Sequence, residues 1–298
     1  MQPEPVNRFL NPSVLSTISG LELIAKTVVD GFVYGLHRSP DFGFSQEFAE
    51  YRAYTPGDDL RHVDWNVYAR TERAYLKRYR GETNTALLVM LDASASMGFG
   101  STVTKFEYAK YLAASLVYLA HLQRDKAGLI VFHDVVANFI EPSSRQGQLM
   151  RLLHGIDAAA LGKGTNLEAS LEHVHPFIKR RGMVVMLSDC FDKPEKIVKA
   201  MEPLRYRGNE VVLFHVLDAT EIEPNIKDDA YLQDMETGQA IEASPDFLKN
   251  EYRQKINAHI EALRSAAQGA GIDYQLLRTD RPLDDALREY LTLRQGRM

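Results

Sequence analysis

The sequence has very little cysteine and no long apolar run. Cys190 is the single cysteine among 298 residues, so the chain cannot form an internal disulfide, and this composition is typical of a reducing compartment. No stretch approaches the ~18 consecutive apolar residues that a membrane-spanning helix needs, and the first residues lack the basic segment and apolar core of an export signal. We therefore expect a soluble cytoplasmic protein without a membrane span.

Excess charge of either sign is also small. The formal net charge is −5 at pH 7 and the isoelectric point is about 6.0, which argues against a general binder of nucleic acids or of anionic membrane surfaces. Hydrophobic residues make up 45% of the chain, which is ample for a large core. The composition favours a globular protein whose partners are not nucleic acids.

The most informative stretch is an apolar run that ends in one carboxylate and two hydroxyls. Residues 87–91 are all apolar, which favours a short buried strand at the centre of a sheet. Asp92, Ser94 and Ser96 follow at every second position, and in an extended segment this spacing places their side chains on one side. Oxygen donors of this kind suit Mg²⁺, or a similar hard cation such as Mn²⁺ or Ca²⁺.

From Ala86 onward, apolar strands alternate with segments of helical periodicity. This alternation predicts a doubly wound α/β fold with a mostly parallel six-stranded sheet. Residues 133–135 alone separate the second strand from the third, too few for a parallel crossover, so the third strand should be an antiparallel edge strand. The predicted strands are 87–91, 127–132, 136–140, 183–189, 210–217 and 274–277, and the predicted helices are 105–123, 147–160, 167–180, 194–205, 246–268 and 283–294.

The N-terminal part of the chain has a different character. Helical spacing predicts a helix over 14–29, and the segment 31–82 is punctuated by glycine and proline, which is typical of irregular, turn-rich structure with one strand at 75–79. We expect residues 1–82 to form an extension and residues 83–298 to form the α/β domain. A hairpin inserted at about 228–243 is predicted by alternation around a Thr-Gly turn.

Topology predicts which polar side chains meet. In a doubly wound sheet the first and fourth strands are central neighbours, and a crevice opens at their carboxyl ends. Asp92 and Asp189 should face each other across this crevice, and the loop 162–167 can bring the Thr165 hydroxyl over it. Protein charges in such a site are too few to satisfy a divalent cation, so an open coordination position invites a carboxylate from a partner.

These residues resemble the metal-ion-dependent adhesion site of the von Willebrand factor A family. The family pattern is Asp-x-Ser-x-Ser, then a Thr, then an Asp, and the resemblance covers residues 83–298. The matching residues are Asp92, Ser94, Ser96, Thr165 and Asp189. The resemblance implies a von Willebrand factor A-like fold with an antiparallel edge strand. It also implies a non-enzymatic protein-interaction module in which these residues hold the metal and the metal accepts a Glu or Asp from another protein.

A motif upstream narrows the resemblance to an uncharacterised bacterial subgroup. The motif runs through the segments 43–48, 52–65 and 69–71. Members of that subgroup are commonly associated with MoxR-type AAA+ ATPases, which implies an adaptor or substrate recruiter that works with such an ATPase. The candidate docking residues in the motif are Pro56, Gly57, Asp58, Asp59, Arg61, Asp64, Trp65 and Arg70.

This upstream motif allows two interpretations. It either docks the partner or forms a charged turn, in which Trp65 packs on the domain and Arg61 pairs with Asp64. If the metal site stays empty, the motif alone would carry the binding function, and that function would be indifferent to a chelator.

The metal motif also has alternatives. Asp-x-Ser-x-Ser alone can cap the turn after a strand. The crevice could instead serve a metal-dependent hydrolase of phosphoesters or peptides, but no base is recognisable near it. A phosphatase of the haloacid dehalogenase type would need an acid at Ser94, and the segment 98–103 lacks the third glycine of a dinucleotide-binding loop. We therefore expect no enzymatic activity.

The remaining candidate ligands have less support. Cys190 adjoins Asp189 but has no histidine placed by sequence to activate it, so we expect a buried, inert thiol. Four histidines lack a convincing metal-binding spacing and are expected at the surface or satisfied in the core. They are His133, His173, His175 and His215.

Overall fold

The chain divides into two compact units. The computed structural model describes residues 12–17, 20–36, 50–54, 63, 65–71, 73–78, 86–164, 182–224, 230–233, 235 and 240–295. One unit comprises residues 1–32 and 84–298, and the other comprises residues 33–83. The division that the sequence predicts, with an extension up to residue 82, stays a prediction.

Ten strands are present among the described residues. They are β1 (Glu50–Ala53), β2 (Tyr75–Arg78), β3 (Ala86–Asp92), β4 (Lys126–Phe132), β5 (Val136–Ser143), β6 (Gly182–Ser188), β7 (Glu210–Leu217), β8 (Ala230–Gln233), β9 (Ala240–Ala243) and β10 (Asp273–Arg278). Six of them form one sheet in the order β10-β7-β6-β3-β4-β5. All neighbours in this sheet are parallel except β5, which is antiparallel to β4 at the edge. The predicted α/β class and the antiparallel edge strand are confirmed.

β3 and β6 lie at the centre of the sheet. Apart from Ala86, every residue of β3 is buried, and so is every residue of β6, as expected for parallel strands covered on both faces. The two strands pair in register from Ala86 opposite Gly182 to Leu91 opposite Leu187. The residues that follow Leu91 and Leu187 therefore leave the sheet at the same edge.

The described α-helices confirm most of the predicted segments. They are Pro12–Leu15, Leu21–Leu36, Trp65–Thr71, Lys105–Leu122, Gln148–Asp157, Pro194–Tyr206, Ala219–Ile222, Pro245–Phe247, Arg253–Gly269 and Asp284–Gln295. The predicted helix over 167–180 lies outside the described residues.

Two predicted helices differ from the structure. The segment 14–29 is not one helix, because the chain leaves the helical conformation after Leu15 and Gly20 adopts a left-handed φ of 95° before the next helix begins. The segment 246–268 is interrupted by a π-helical turn at Leu248–Tyr252. Helical spacing alone could detect neither change, since both preserve the periodicity of apolar residues on either side.

The unit of residues 33–83 has more regular structure than the sequence predicts. β1 pairs antiparallel with β2, and the backbone N–H of Tyr54 donates to the carbonyl of Ala74 at 2.9 Å. The helix Trp65–Thr71 precedes β2 in the chain. The strand predicted at 75–79 is confirmed, whereas β1 was missed because its pairing partner lies more than twenty residues away.

Two further features complete the fold. β8 and β9 pair antiparallel within the segment 228–243 that was predicted as a hairpin, and the predicted Thr-Gly turn lies outside the described residues. Within the described part of the chain, none of the helices combines the length and apolar character needed to cross a bilayer.

Candidate metal centre

Two carboxylates end the central strands at the carboxyl edge of the sheet. Asp92 is the last residue of β3, and Asp189 directly follows the end of β6. Both are buried, at 1% and 2% exposure. The neighbouring strands of a switch point thus bring two acidic side chains together at the edge where doubly wound sheets bind ligands.

Asp92 is held by hydrogen bonds to both carboxylate oxygens. The backbone N–H of Ser94 donates to Oδ1 at 2.8 Å, and the Ser188 hydroxyl donates to Oδ2 at 2.6 Å. Burial, and then the negative charge of Asp189, raise the pKa of Asp92 to about 7, against the opposing effect of these hydrogen bonds. Burial and the neighbouring Asp189 therefore disfavour the charged form of Asp92.

Ser94 and Ser96 direct their hydroxyls to one point. The strand ends at Asp92, and Ser96 lies in the 3₁₀ turn Ala95–Gly98, so the extended geometry assumed from the sequence does not reach it. The turn nevertheless places the two Oγ atoms 3.1 Å apart. Adjacent oxygens around octahedral Mg²⁺, at ~2.1 Å from the ion, are about 3 Å apart.

The oxygen donors in the crevice fit a hard divalent cation. Among the described residues, no three His, Cys, Asp or Glu side chains form a metal-binding cluster. The available donors are carboxylates and hydroxyls, so a metal here would also rely on water, which Mg²⁺ commonly retains. Asp92, Ser94, Ser96 and Asp189 are the described residues that would hold it.

Thr165, the fifth predicted ligand, lies outside the described residues. The loop that leads to it is anchored at the crevice, because the N–H of Gly162 donates to the carbonyl of Ala93 at 2.7 Å. A Cβ atom at Gly162 would lie 2.4 Å from the His133 ring. Glycine is therefore needed at position 162 for the loop to approach the end of β3.

Lys105 is a residue of the site that the sequence did not reveal. Its fully buried ammonium donates to Asp189 Oδ2 at 2.8 Å and to Glu221 Oε1 at 2.6 Å. Lys105 is the first residue of the helix Lys105–Leu122, where the helix dipole disfavours a cation. A lysine at the start of an otherwise well-capped helix is the one signal that could have indicated a buried acidic partner.

The buried ionic cluster carries a net negative charge. It comprises three carboxylates and one ammonium, from Asp92, Asp189, Glu221 and Lys105, so the sum is −2 when all are ionised. Burial also raises the pKa of Glu221, despite the nearby Lys105. A divalent cation would balance this charge.

Asp218, which directly follows β7, hydrogen-bonds to three segments around the crevice. Its Oδ2 accepts hydrogen bonds from the Ser101 backbone N–H at 3.2 Å and from the Thr279 hydroxyl at 2.8 Å. Its backbone N–H donates to Glu221 at 2.8 Å in a capping box. Asp218 therefore joins the loop before Lys105 to the segment that positions Glu221.

His215 and Cys190 lie beneath the carboxylates and are satisfied core residues, as expected. His215 Nε2 donates to the Asp189 carbonyl at 2.9 Å, which leaves Nδ1 to accept from the Tyr274 hydroxyl at 2.8 Å. Burial lowers the pKa of His215 to about 3, so the ring is neutral. Burial raises the pKa of the Cys190 thiol, which keeps it protonated.

Of the candidate docking residues, the structure describes Trp65 and Arg70. Both lie on the helix Trp65–Thr71, where Trp65 is 57% exposed and contacts Tyr68 edge to face, with 5.9 Å between ring centroids. The remaining candidates lie outside the described residues. They are Pro56, Gly57, Asp58, Asp59, Arg61 and Asp64.

The fold and the crevice define an α/β protein with an acidic, hydroxyl-lined site at its switch point. The chain belongs to the family described as "Protein of unknown function DUF58", whose model matches residues 50–265. An uncharacterised protein of Mycobacterium tuberculosis is 29% identical over 294 residues, which are 96% of this chain and 92% of that relative.

Two further similarities cover less sequence or have lower identity. The magnesium-chelatase 67 kDa subunit of Chlorobaculum parvum is 32% identical over 101 residues, which are 34% of this chain and 15% of that subunit. Among solved structures, an aerotolerance-related membrane protein from Bacteroides fragilis aligns with a TM-score of 0.48 at 16% identity. That alignment covers 72% of this chain and 100% of the other.

Proposed function

We propose that this chain is a divalent-metal-dependent protein-interaction module of the von Willebrand factor A type. Mg²⁺, or Mn²⁺ or Ca²⁺ in its place, is held by Asp92, Ser94 and Ser96, together with Asp189 and Thr165. The observation that carries the proposal is the convergence of two buried carboxylates with two hydroxyls whose oxygens are 3.1 Å apart. The net charge of the buried cluster supports the same conclusion.

When bound, the metal supplies an electrophilic position that a Glu or Asp from another protein can occupy. The protein's own residues orient the donors. Ser188 and the Ser94 N–H fix the Asp92 carboxylate, and Lys105 holds one oxygen of Asp189. These contacts keep the donors in place before the cation and the partner arrive.

We further propose that the module is a non-enzymatic, cytoplasmic adaptor or substrate recruiter working with a MoxR-type AAA+ ATPase. The upstream motif supports this partner through its resemblance to the bacterial subgroup. Similarity of part of the chain to a subunit of magnesium chelatase supports a role within an assembly. Trp65 and Arg70 on their exposed helix are the described part of the surface that would dock the ATPase.

Calorimetric titration with Mg²⁺ tests the metal site directly. The wild-type chain should bind one equivalent, and Asp92→Ala should bind none, because it removes one of the two buried carboxylates of the proposed site. Asp192→Ala is a matched control, since this carboxylate is partly exposed at the same edge and pairs with Lys196. Unchanged binding by Asp92→Ala would contradict the proposal.

A pull-down from native cytoplasm, with Mg²⁺ or with chelator, tests the interaction. A protein retained only by the wild type in Mg²⁺ is expected, and an AAA+ ATPase among the retained proteins would identify the proposed co-worker. If the same proteins are retained in chelator and by Asp92→Ala, the upstream motif rather than the metal site would be the binding surface. Turnover of a phosphate or peptide ester that disappears in Asp92→Ala would favour a hydrolase instead.

A further inference from the structure

We propose that the crevice selects a partner carboxylate that is flanked by large apolar side chains. The inference rests on the proposed function and specifies the chemistry of its partner. It comes from four exposed apolar side chains, here called the apolar rim, on the loops beside the metal ligands. The apolar rim consists of Phe99, Leu161, Phe191 and Met235, each between 40% and 49% exposed.

Two rim residues are placed by Lys105. Phe191 follows Asp189 by two residues, and its ring centroid lies 4.6 Å from the Lys105 ammonium. Phe99 directly follows the turn that carries Ser96, and its centroid lies 5.8 Å from the same ammonium. The two rings therefore flank the buried cation that pairs with Asp189.

The other two rim residues cover the turn that carries Ser96. A Cβ atom at Gly98 would lie 2.7 Å from Leu161 Cδ1 and 3.4 Å from Met235 Cε. Leu161 comes from the loop that is anchored to Ala93, and Met235 comes from the segment between β8 and β9. Two separate segments of the chain thus bring apolar groups to the turn that carries Ser96.

The combination of charge and apolar surface decides the kind of partner. Single exposed apolar residues are ordinary, but a set around a polar crevice is typical of binding sites. A bound divalent cation would offer an open coordination position to a carboxylate, while the rim gains from being removed from water. A peptide segment with a Glu or Asp beside Leu, Phe, Ile or Met satisfies both requirements, whereas a small free carboxylate leaves the rim exposed.

Fluorescence anisotropy with three labelled nonapeptides tests the inference on the full chain in Mg²⁺. One peptide has a central Glu flanked by Leu and Phe, the second has the same Glu flanked by serines, and the third has Gln in place of Glu between Leu and Phe. The first should bind at least about tenfold more tightly than the second, since one buried apolar side chain supplies that much. The third peptide, and the first in chelator, should not bind.

Variants of the apolar rim test whether its side chains cause the preference for the Leu- and Phe-flanked peptide. Phe191→Ser and, separately, Met235→Ser should each reduce the preference for the Leu- and Phe-flanked peptide by about threefold or more. Met235→Ser, which is remote from Lys105 in the chain, should do so with calorimetric Mg²⁺ affinity unchanged. Tyr206→Ser is the matched control, because Tyr206 is a highly exposed aromatic at the end of the helix Pro194–Tyr206, which leads to the start of β7. This control should retain the full preference.

The outcomes separate the inference from the proposed function. Equal, chelator-sensitive binding of both Glu peptides would overturn the rim inference and leave the metal-dependent module intact. Absence of peptide binding by a chain that binds Mg²⁺ in the calorimeter would also overturn the rim inference. Failure to bind Mg²⁺ at all would overturn the proposed function.

Discussion

The two ends of the central sheet differ in the polar side chains that they bury and in the partners of these side chains. At the amino ends of the strands, the amide side chains of Asn209 and Gln148 pair with backbone groups, and one buried carboxylate, Asp125, directly precedes β4. The Asn209 side chain accepts from the Gly182 N–H at 3.0 Å and donates to the Leu204 carbonyl at 2.9 Å. The Gln148 amide donates to the Ala127 carbonyl at 2.8 Å. Both amide side chains are neutral and hydrogen-bonded.

At the carboxyl ends, acidic side chains and a lysine are buried together instead. Asp92 and Asp189 face each other with Lys105 as their nearby cation. Burying charges costs more free energy than burying amides, and apolar residues often stabilise a fold as well as a buried ion pair does. The two amides at the amino end therefore have a structural role, whereas the two adjacent carboxylates at the carboxyl end form an arrangement that a bound cation would stabilise.

The largest effect on stability should come from removing the buried cation. Lys105→Met leaves Asp189 and Glu221 buried without their counter-charge, so the free energy of unfolding should fall by about 3–5 kcal/mol. Adding Glu221→Gln should recover part of this loss. The free energies of unfolding of the single and the double variant are measured by urea denaturation without metal.

Lys196→Met is the control for the buried lysine. Lys196 pairs with Asp192 at 2.6 Å, but both side chains are substantially exposed, so its loss should cost less than about 1 kcal/mol. Equal losses for the two lysine variants would show that the carboxyl end is not an energetically distinct region.

At the carboxyl end, replacing Asp92 should affect metal binding without lowering the stability of the metal-free chain. Without metal at pH 8, Asp92→Asn should not lower the free energy of unfolding, because it removes one of two buried like charges and keeps an amide that can bond Ser94 and Ser188. Mg²⁺ at a hundred times its dissociation constant should stabilise the wild type by about 2.7 kcal/mol. Asp92→Asn should lose this gain.

Denaturation curves in Mg²⁺ and in chelator provide the measurement. A wild-type curve that is the same in both conditions would refute the metal site. A strong destabilisation of Asp92→Asn in chelator would instead indicate that the carboxylate has a structural role.

The smallest of the three effects is expected at the amino end. Asn209→Ala leaves the Gly182 N–H without its partner, while the Leu204 carbonyl keeps the backbone N–H of residue 209 at 3.4 Å, so the loss should be roughly 1–2 kcal/mol. Mg²⁺ affinity should not change, because Asn209 lies at the opposite ends of the strands. Asn257→Ala, at an exposed position of the helix Arg253–Gly269, should cost almost nothing. A loss of Mg²⁺ affinity in Asn209→Ala would contradict the assignment of a purely structural role to this amide.

Much of the fold and the core of the candidate site could be predicted without tertiary structure. The central strands are continuous apolar runs, and the connection between β4 and β5 is too short for a parallel crossover, so local sequence determines both. The pairing of Asp92 with Asp189 then follows from strand order. The role of these carboxylates as metal ligands stays a prediction, together with Thr165.

The sequence by itself determined the strands of the central sheet and the antiparallel edge strand, because these depend on local periodicity and on connection length. The meeting of Asp92 and Asp189 followed once a doubly wound strand order was assumed. Tertiary structure alone decided which other charged residues meet these carboxylates. Lys105 is 84 residues from Asp189 and 116 from Glu221, and the apolar rim is assembled from loops of several strands. Contacts of such long separation leave no periodic trace in a single sequence, since they form only when the packed sheet brings the ends of its strands together.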